Sequence, residues 1–344
     1  MITKAILTGG GRATRLYPIT STINKHLLPL ANKPMIFHAI EKVVDAGIKE
    51  IFINVNPGEE DLQKHIGDGG HWGVKIKFFE QTGGPQGIAH VVNEAKKFIG
   101  DDPFVFYLSD NILFGDVKEM IEEFNKGEHD CMLALSEVPD PNRFGVPVFD
   151  NVGNLIDVIE KPEVAPNNFA VTGIYLYGPK IFFEAFDNIE KSARGEYEIS
   201  SIHSYFLKNN KKVGYKEITG WWKDTGKTED LLLANRLLLE KTNNIIQVSP
   251  SCVYDDTVEL IAPVIIGENC ILKNCKIGPY VTIGQGSIIK NANIEDSILL
   301  SNVEIDCQIT ISDSLIGKGV KFLKKEERNK KHKLIVGDKT VIEF

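Results

Sequence analysis

The chain has 344 residues and a mass of 38.3 kDa, room for about two domains with substantial cores. Apolar residues make up 42% and charged residues 25%, which excludes the disordered and fibrous classes. Lys plus Arg total 39 against 47 for Asp plus Glu; the net charge of −8 and a pI near 5.6 argue against nucleic acid or anionic lipid as partners. No apolar run approaches the roughly 20 residues of a membrane span, and the opening MITKAILTGG lacks a signal-peptide layout. Five scattered cysteines (Cys131, Cys252, Cys270, Cys275, Cys307) fit reduced thiols in a cytoplasm better than a disulfide framework.

The first 120 residues alternate strand and helix. KAILTGG reads as a buried strand feeding a glycine loop. MIFHAIEKVVDAGI sets Ile36, Ile40, Val43 and Val44 at helical spacing. EIFINVN repeats the strand signal, IAHVVNEAKKFI is helical, and PFVFYLSDN is a buried strand ending in a carboxylate. Such alternation predicts a parallel sheet covered by helices, a Rossmann-like doubly wound α/β arrangement. After Met132 the runs CMLALSEV, GVPVFD and FAVTGIYLY predict an antiparallel or mixed extension. EISSIHSYFLKNN and KTEDLLLANRLLLEK predict helices, the second as the closing helix of a domain over residues 1–245.

From about residue 250 the pattern changes in kind. Ile266, Leu272, Ile277, Ile283, Ile289, Ile294, Leu300, Ile305, Ile311 and Ile316 recur at steps of five or six. This hexapeptide repeat predicts a left-handed parallel β-helix over 250–344, about three hexads to a turn, with Asn, Asp and Gly at its corners. FLKKEERNKKHK reads as a solvated charge run, and LIVGDKTVIEF as a last strand-like cap. An open coil end needs a cap or a second copy, so a homo-oligomer is expected.

The chemistry begins at Gly9, Gly10 and Gly11, in GGGRATR. Glycines let backbone amides approach an anion, and Arg15 with Lys25 brackets the loop with positive charge. A phosphate site at the carboxyl edge of the parallel sheet is the reading.

LTGGGRATRLYPIT…NKHLLPLANKPM resembles the opening signature of the sugar-1-phosphate nucleotidylyltransferases. GDGGHWG, EQTGGPQGIA, LSDNILFGD, RFGV, EKP, VTGIYLY, RGEYEIS and WWKDTGKTEDLLLANRLLL follow in that family's order, over about residues 3–240. With the repeats behind them, these motifs look most like the long form of the glucose-1-phosphate thymidylyltransferases. Two departures stand out: the loop is one residue longer than the family's GG-x-G-T-R and adds Arg12, and an extra residue lies between Gln81 and Gly87.

The resemblance implies attack by a sugar-phosphate oxygen on the α-phosphorus of dTTP, giving dTDP-glucose and pyrophosphate. Positioning and charge neutralisation dominate such chemistry. By the same resemblance Asp110 and Asp224 would hold Mg²⁺, for which two carboxylates suffice. Arg15 and Lys25 would grip the triphosphate. Lys161 and Arg194 would hold the phosphate of the sugar, Glu160 would accept from its hydroxyls, and Gly145 and Thr172 would lie along it. Gln81 and Gly87 fall where the family reads the base. No general base is required, because the attacking phosphate is already deprotonated.

Several features read as structural. Trp72, Trp221 and Trp222 lack the basic stripe of a nucleic-acid platform. Cys270 and Cys275 fit a narrow repeat core, and His26 has no neighbouring nucleophile. Alternatives in the same class use UTP or another sugar phosphate. An acetyltransferase in the repeats would need a histidine, and none occurs between residues 204 and 331. A non-catalytic regulatory subunit would be expected to lose the charged set, yet Arg15, Lys25, Asp110, Lys161 and Asp224 are all present. All the motifs precede residue 245, so the repeats read as an assembly element.

Overall fold

The structure, a computed structural model, describes residues 1–11 and 13–323. Arg12, most of the charge run and the expected cap strand lie outside the described residues. The chain packs as two compact units: Met1–Arg12 with Ile36–Asp224, and Ala13–Met35 with Thr225–Phe344. Among the described residues no helix is long and apolar enough to cross a membrane.

In the first unit the strand Lys4–Thr8 is buried over all but its first residue. It runs parallel to Glu50–Val55 on one side and to Phe104–Tyr107 on the other, and Lys75–Glu80 continues the parallel set beyond Glu50–Val55. Phe169–Tyr177 pairs antiparallel with Phe104–Tyr107 and with Cys131–Glu137, and Gly145–Phe149 and Leu155–Glu160 extend that side antiparallel. With Val213–Glu217 this makes a nine-stranded mixed sheet, as the loosened alternation after Met132 predicts. The chain moves outward from Lys4–Thr8 through two strands and then returns to its other side. Strand order therefore reverses between Lys4–Thr8 and Phe104–Tyr107, where ligands of open parallel sheets bind.

The expected helices form at Met35–Asp45 and Ile199–Lys208, and IAHVVNEAKKFI divides at Ala95 into Ile88–Glu94 and Lys96–Ile99. The core of this unit is aromatic: Phe104, Phe106, Tyr175, Tyr177, Phe182 and Phe206 are all buried within one cluster.

The second unit bears out the repeat pattern. Val264–Ile266 pairs parallel with Val281–Ile283, and Ile271–Lys273 with Ile288–Ile294, each partner seventeen residues on. Ile298 meets Leu315, and Glu304 meets Lys321, at the same interval. That period is one turn of about three hexads, and parallel strands stack along it in two sheets. Of the ten apolar hexad positions, eight are buried in one cluster and Ile316 packs against it. Leu300 is buried outside that cluster, because the register puts Leu299 in line with Ile283 and Ile316. Cys270 and Cys275 lie in that core, and burial pushes the Cys275 thiol up to about 11, so it behaves as a small apolar side chain.

The corners explain the intervening residues. Asn269, Gly286, Asn302 and Gly319 all have φ between 55° and 72°, and recur a turn apart. Tyr280, Asp296 and Asp313 form a second such series, and Asn274 with Asn291 a third. Asn and Asp tolerate this left-handed backbone better than other side chains, and Gly bears no penalty there. Asn274 Nδ2 also donates to Asn291 Oδ1 (2.7 Å), and Asn291 Nδ2 to Asp306 Oδ1 (2.8 Å), so amides ladder from turn to turn. The helix Thr228–Glu240, which the sequence suggests would close the sheet domain, packs in this unit instead.

One buried titratable group gives a pH signature. His203 is fully buried on the helix Ile199–Lys208, its Nε2 is 2.9 Å from the Tyr177 hydroxyl, and burial lowers its pKa to about 3. Unfolding restores an ordinary value near 6.5, so the unfolded chain binds the extra proton between those limits. Stability from this group is complete above about pH 6.5 and falls as pH drops toward 3. The His203 ring should show no titration between pH 5 and 8 by NMR. His203→Gln should flatten the fall in melting temperature from pH 7 to 5.

Candidate active site

At the carboxyl end of Lys4–Thr8 the glycine run is held by two asparagines, one in the neighbouring strand Glu50–Val55 and one just beyond its end. Gly9 N–H donates to Asn54 Oδ1 (3.1 Å) and Gly11 N–H to Asn56 Oδ1 (2.9 Å), while Asn56 Nδ2 returns a bond to the Gly11 carbonyl (3.2 Å). Two of the three glycine amides are thus already engaged, and a phosphate reaching them would have to share them. Asn54 and Asn56 alternate along EIFINVN, the one signal that could have singled them out. At the adjoining edge Ser109 N–H donates to Thr8 Oγ1 (2.8 Å), tying the ends of the two central strands together.

Asp110 follows Ser109, and the next residue begins a short strand, Asn111–Leu113, that pairs antiparallel with Trp222–Asp224. The register sets Asn111 opposite Asp224, so carboxylates 114 positions apart in sequence converge on one ladder end. Asn111 is the hub of this arrangement. Its side chain is buried; Oδ1 accepts from Trp222 Nε1 (2.8 Å) and from Gly173 N–H (3.2 Å), and Nδ2 donates to Asp110 Oδ1 (2.8 Å). The Tyr107 hydroxyl donates to its carbonyl (2.7 Å). Gly173 sits in an irregularity of Phe169–Tyr177, and a Cβ there would come within 2.8 Å of the Asn111 side chain; only glycine allows the approach.

The carboxylates also register electrostatically. Burial, then the charges of Glu160, Asp110 and Asp224, hold the Tyr175 hydroxyl well above its usual range. Three anionic groups therefore act on one buried phenol. Asp110 and Asp224 are hard oxygen donors of the kind and number that suit Mg²⁺. Among the described residues no cluster of three or more His, Cys, Asp or Glu suited to a metal occurs.

The residues expected around the sugar phosphate gather at the end of Leu155–Glu160. Gly145 pairs with Glu160 across the ladder. Lys161 has a φ of 43°, a left-handed turn that redirects the chain directly after the strand, and its amide donates to the Phe144 carbonyl (2.9 Å). Glu160 Oε1 is 3.2 Å from Lys161 Nζ and 3.4 Å from Arg194 Nη2. Arg194 is held further by Glu198, whose Oε1 accepts from Nε (3.2 Å), from Nη2 (2.9 Å) and from the Ser192 hydroxyl (2.7 Å). Glu198 is buried, and nothing in RGEYEIS sets it apart from its neighbour Glu196. Thr172 is buried, and its hydroxyl donates to the Ala134 carbonyl (3.0 Å), so any part it takes along a sugar falls to its main chain.

The loop carrying Gln81 follows Lys75–Glu80, and the Gln81 main-chain N–H donates to the Val55 carbonyl (3.1 Å). Gly87 closes the loop with a φ of 95°, and a Cβ would meet the Tyr197 carbonyl oxygen at 2.5 Å. Tyr197 N–H donates to the Gln86 carbonyl (2.8 Å), and its own carbonyl accepts from Ala89 N–H (3.3 Å). The Gln81–Gly87 loop is thereby joined to the segment that carries Arg194.

Arg15 and Lys25 belong to the other unit. Arg15 lies in the helical turn Thr14–Leu16 after Ala13, itself in the left-handed region at φ 44°. A Cβ on Gly226 would come within 3.2 Å of the Arg15 guanidinium, so glycine leaves that group its space. Lys25 opens the turn Lys25–Leu27, capped by Asn24 through the His26 amide (2.8 Å).

A family model described as nucleotidyl transferase matches residues 4–241. The chain belongs to the nucleotidyl transferase family. It is 43% identical over 238 residues to the low-salt glycan biosynthesis nucleotidyltransferase of Haloferax volcanii, covering 69% of this chain and 66% of that protein. It is 37% identical over 281 residues to a glucose-1-phosphate thymidylyltransferase of Streptomyces griseus, covering 81% and 77%. A Bacillus anthracis structure described as a candidate glucose-1-phosphate thymidylyltransferase with sucrose superposes with a TM-score of 0.64 at 38% identity, over 68% of this chain and 94% of that one.

For this family member the Asn111 hub is directly testable. Asn111→Ala leaves the Trp222 and Gly173 donors buried without their acceptor, at about 1–3 kcal/mol for each unmet group. Denaturant unfolding should show a loss of about 3 kcal/mol. A near-normal midpoint would mean that the ladder does not depend on this side chain.

Proposed function

We propose that this chain joins dTTP and glucose 1-phosphate into dTDP-glucose with release of pyrophosphate. The observation that carries the reading is the register that sets Asp224 opposite Asn111, bringing a second carboxylate beside Asp110 at the switch point of the sheet. Support for the sugar and the nucleotide comes from the ordered motifs and from the name of the Streptomyces relative.

Asp110 and Asp224 would hold Mg²⁺, which when bound offsets negative charge on the phosphates. Arg15 and Lys25 take the triphosphate and stabilise charge developing on the departing pyrophosphate. Lys161 and Arg194 exchange their pairing with Glu160 for the sugar-borne phosphate, which turns an oxygen toward the α-phosphorus. The new P–O bond forms in line as the bond to pyrophosphate breaks, and no proton need be removed. Glu160, once released, accepts from sugar hydroxyls alongside Gly145 and the Thr172 main chain. The Gln81 amide and the Gly87 backbone pair with a pyrimidine edge.

Pyrophosphate release measured with dTTP, dUTP, UTP, ATP and GTP against saturating glucose 1-phosphate tests the reading. The thymine methyl alone is worth about 10–200-fold over dUTP, whereas a purine that leaves buried polar groups unmet is rejected by up to about 10⁴ in kcat/KM. ATP or GTP within tenfold of dTTP would remove the pyrimidine role of Gln81, and preference for UTP would make the enzyme a uridylyltransferase.

Two variant series separate the roles. Asp110→Asn should lower turnover by about 10²–10³ without loss of fold; near-normal turnover at low Mg²⁺ would refute its metal role. Lys161→Ala should raise KM for glucose 1-phosphate, and Lys25→Ala should raise KM for the nucleotide or lower kcat. Equal effects of both changes on both substrates would sink the assignment.

A further inference from the structure

We propose that the repeat coil serves the triphosphate step as well as any assembly: together with the helix Thr228–Glu240, its outer face fixes the Ala13–Met35 segment and so positions Arg15 and Lys25. The inference rests on the reading that these two cations hold the triphosphate. Every contact it uses lies within the second unit.

The anchor is the turn Ala31–Asn32, which joins the short strands Pro29–Leu30 and Lys33–Pro34. Both turn residues are left-handed, with φ of 47° and 60°. Ala31 N–H donates to Asn235 Oδ1 on the helix (2.8 Å), and Asn235 is itself buried. Asn32 Nδ2 donates to the Ile283 carbonyl of the coil (3.2 Å). One turn is thus held from two sides, by helix and by coil. Non-glycine backbone persists in that region only where its surroundings determine it.

The helix is in turn fixed to the coil by Arg236. Its guanidinium lies 4.2 Å from the centre of the Tyr280 ring, and Nη1 is 3.2 Å from Asp296 Oδ1. Tyr280 and Asp296 are left-handed corner residues one turn apart, so the contact reads the corner column itself. A planar guanidinium that stacks and pairs at once defines orientation as well as distance.

The two outer faces of the coil differ in burial. Thr282 and Ile298 are register partners that lie outside the coil's apolar cluster, yet both are buried. On the other sheet the strand Ile271–Lys273 alternates exposed, buried, exposed. One outer face is therefore covered while the other is not. Farther along, Ile19 stands 3.4 Å from where a Cβ on Gly317 would lie. From the anchored turn the chain runs back through buried Leu30, Leu28 and Leu27 to Lys25, a short stiff path.

The test uses the full-length protein. Asn32→Gly keeps the backbone conformation and removes the bond to the coil; Asn235→Ala removes the acceptor on the helix; Arg236→Met removes the stack and the ion pair while keeping bulk. Each should raise KM for dTTP or lower kcat by about tenfold, since small misplacements of a binding group are costly, and leave KM for glucose 1-phosphate within about twofold. Amide exchange at Leu28 and Met35 should quicken in the same variants, a readout independent of the reaction. Unchanged nucleotide kinetics and unchanged exchange would overturn the proposal, as would a lowered melting temperature with both KM values and kcat intact. Lys25→Ala separates the two readings. If it leaves nucleotide kinetics unaltered, the triphosphate role fails; if it acts and the three anchor variants do not, the positioning role fails.

Discussion

A buried amide side chain determines where the carboxylates stand. Asn111 must find partners for its polar atoms once it leaves water, because an unmet buried group costs about 1–3 kcal/mol. It finds them in Trp222, Gly173 and Asp110, which come from three separate stretches of the chain. The pairing of Asn111–Leu113 with Trp222–Asp224 follows the same demand, and with it the position of Asp224. Gly173 lacks a side chain for the same reason, since a Cβ would occupy the volume that the amide needs. The acidic end of the sheet is built around a neutral residue.

Charge in this protein is arranged rather than accumulated. The chain is a net anion, yet its proposed substrates are anions too. Lys161 and Arg194 are both drawn to Glu160, and Arg194 is further gripped by buried Glu198. Unpaired cations would repel one another; a shared carboxylate holds them close. The glycine run follows similar logic, its amides oriented by Asn54 and Asn56 rather than left to solvent.

The sequence was most informative where a period is long and the chemistry uniform. The hexad positions from Ile266 to Ile311 could be read directly, except that Leu299 rather than Leu300 enters the core, because a coil core admits one apolar residue per face and the spacing repeats. The strands KAILT, EIFINV and FVFY were likewise evident as continuous apolar runs, the pattern of strands buried on both faces. Lys75–Glu80 was not, since an edge strand alternates charge with apolar residues. Asn111–Leu113 and Trp222–Asp224 are three residues each, too short for any period, and their pairing spans more than a hundred positions. The helix Thr228–Glu240 was plain in outline, but which unit it joins depends on Arg236 meeting Tyr280 and Asp296, a match that no local pattern encodes. Of the candidate site, the charged candidates were legible through the motifs, while the residues that hold the glycine run (Asn54, Asn56), Asp110 (Asn111) and Arg194 (Glu198) were not.

The backbone contact between Gly87 and Tyr197 has a mechanical consequence. Two hydrogen bonds and a gap too narrow for a methyl group rivet the loop after Lys75–Glu80 to the stretch that bears Arg194. Neither can shift by much more than the slack in those bonds without carrying the other along. In effect the two loops have a single hinge coordinate in place of two. Freezing one of them withdraws freedom from its neighbour before that neighbour has touched anything.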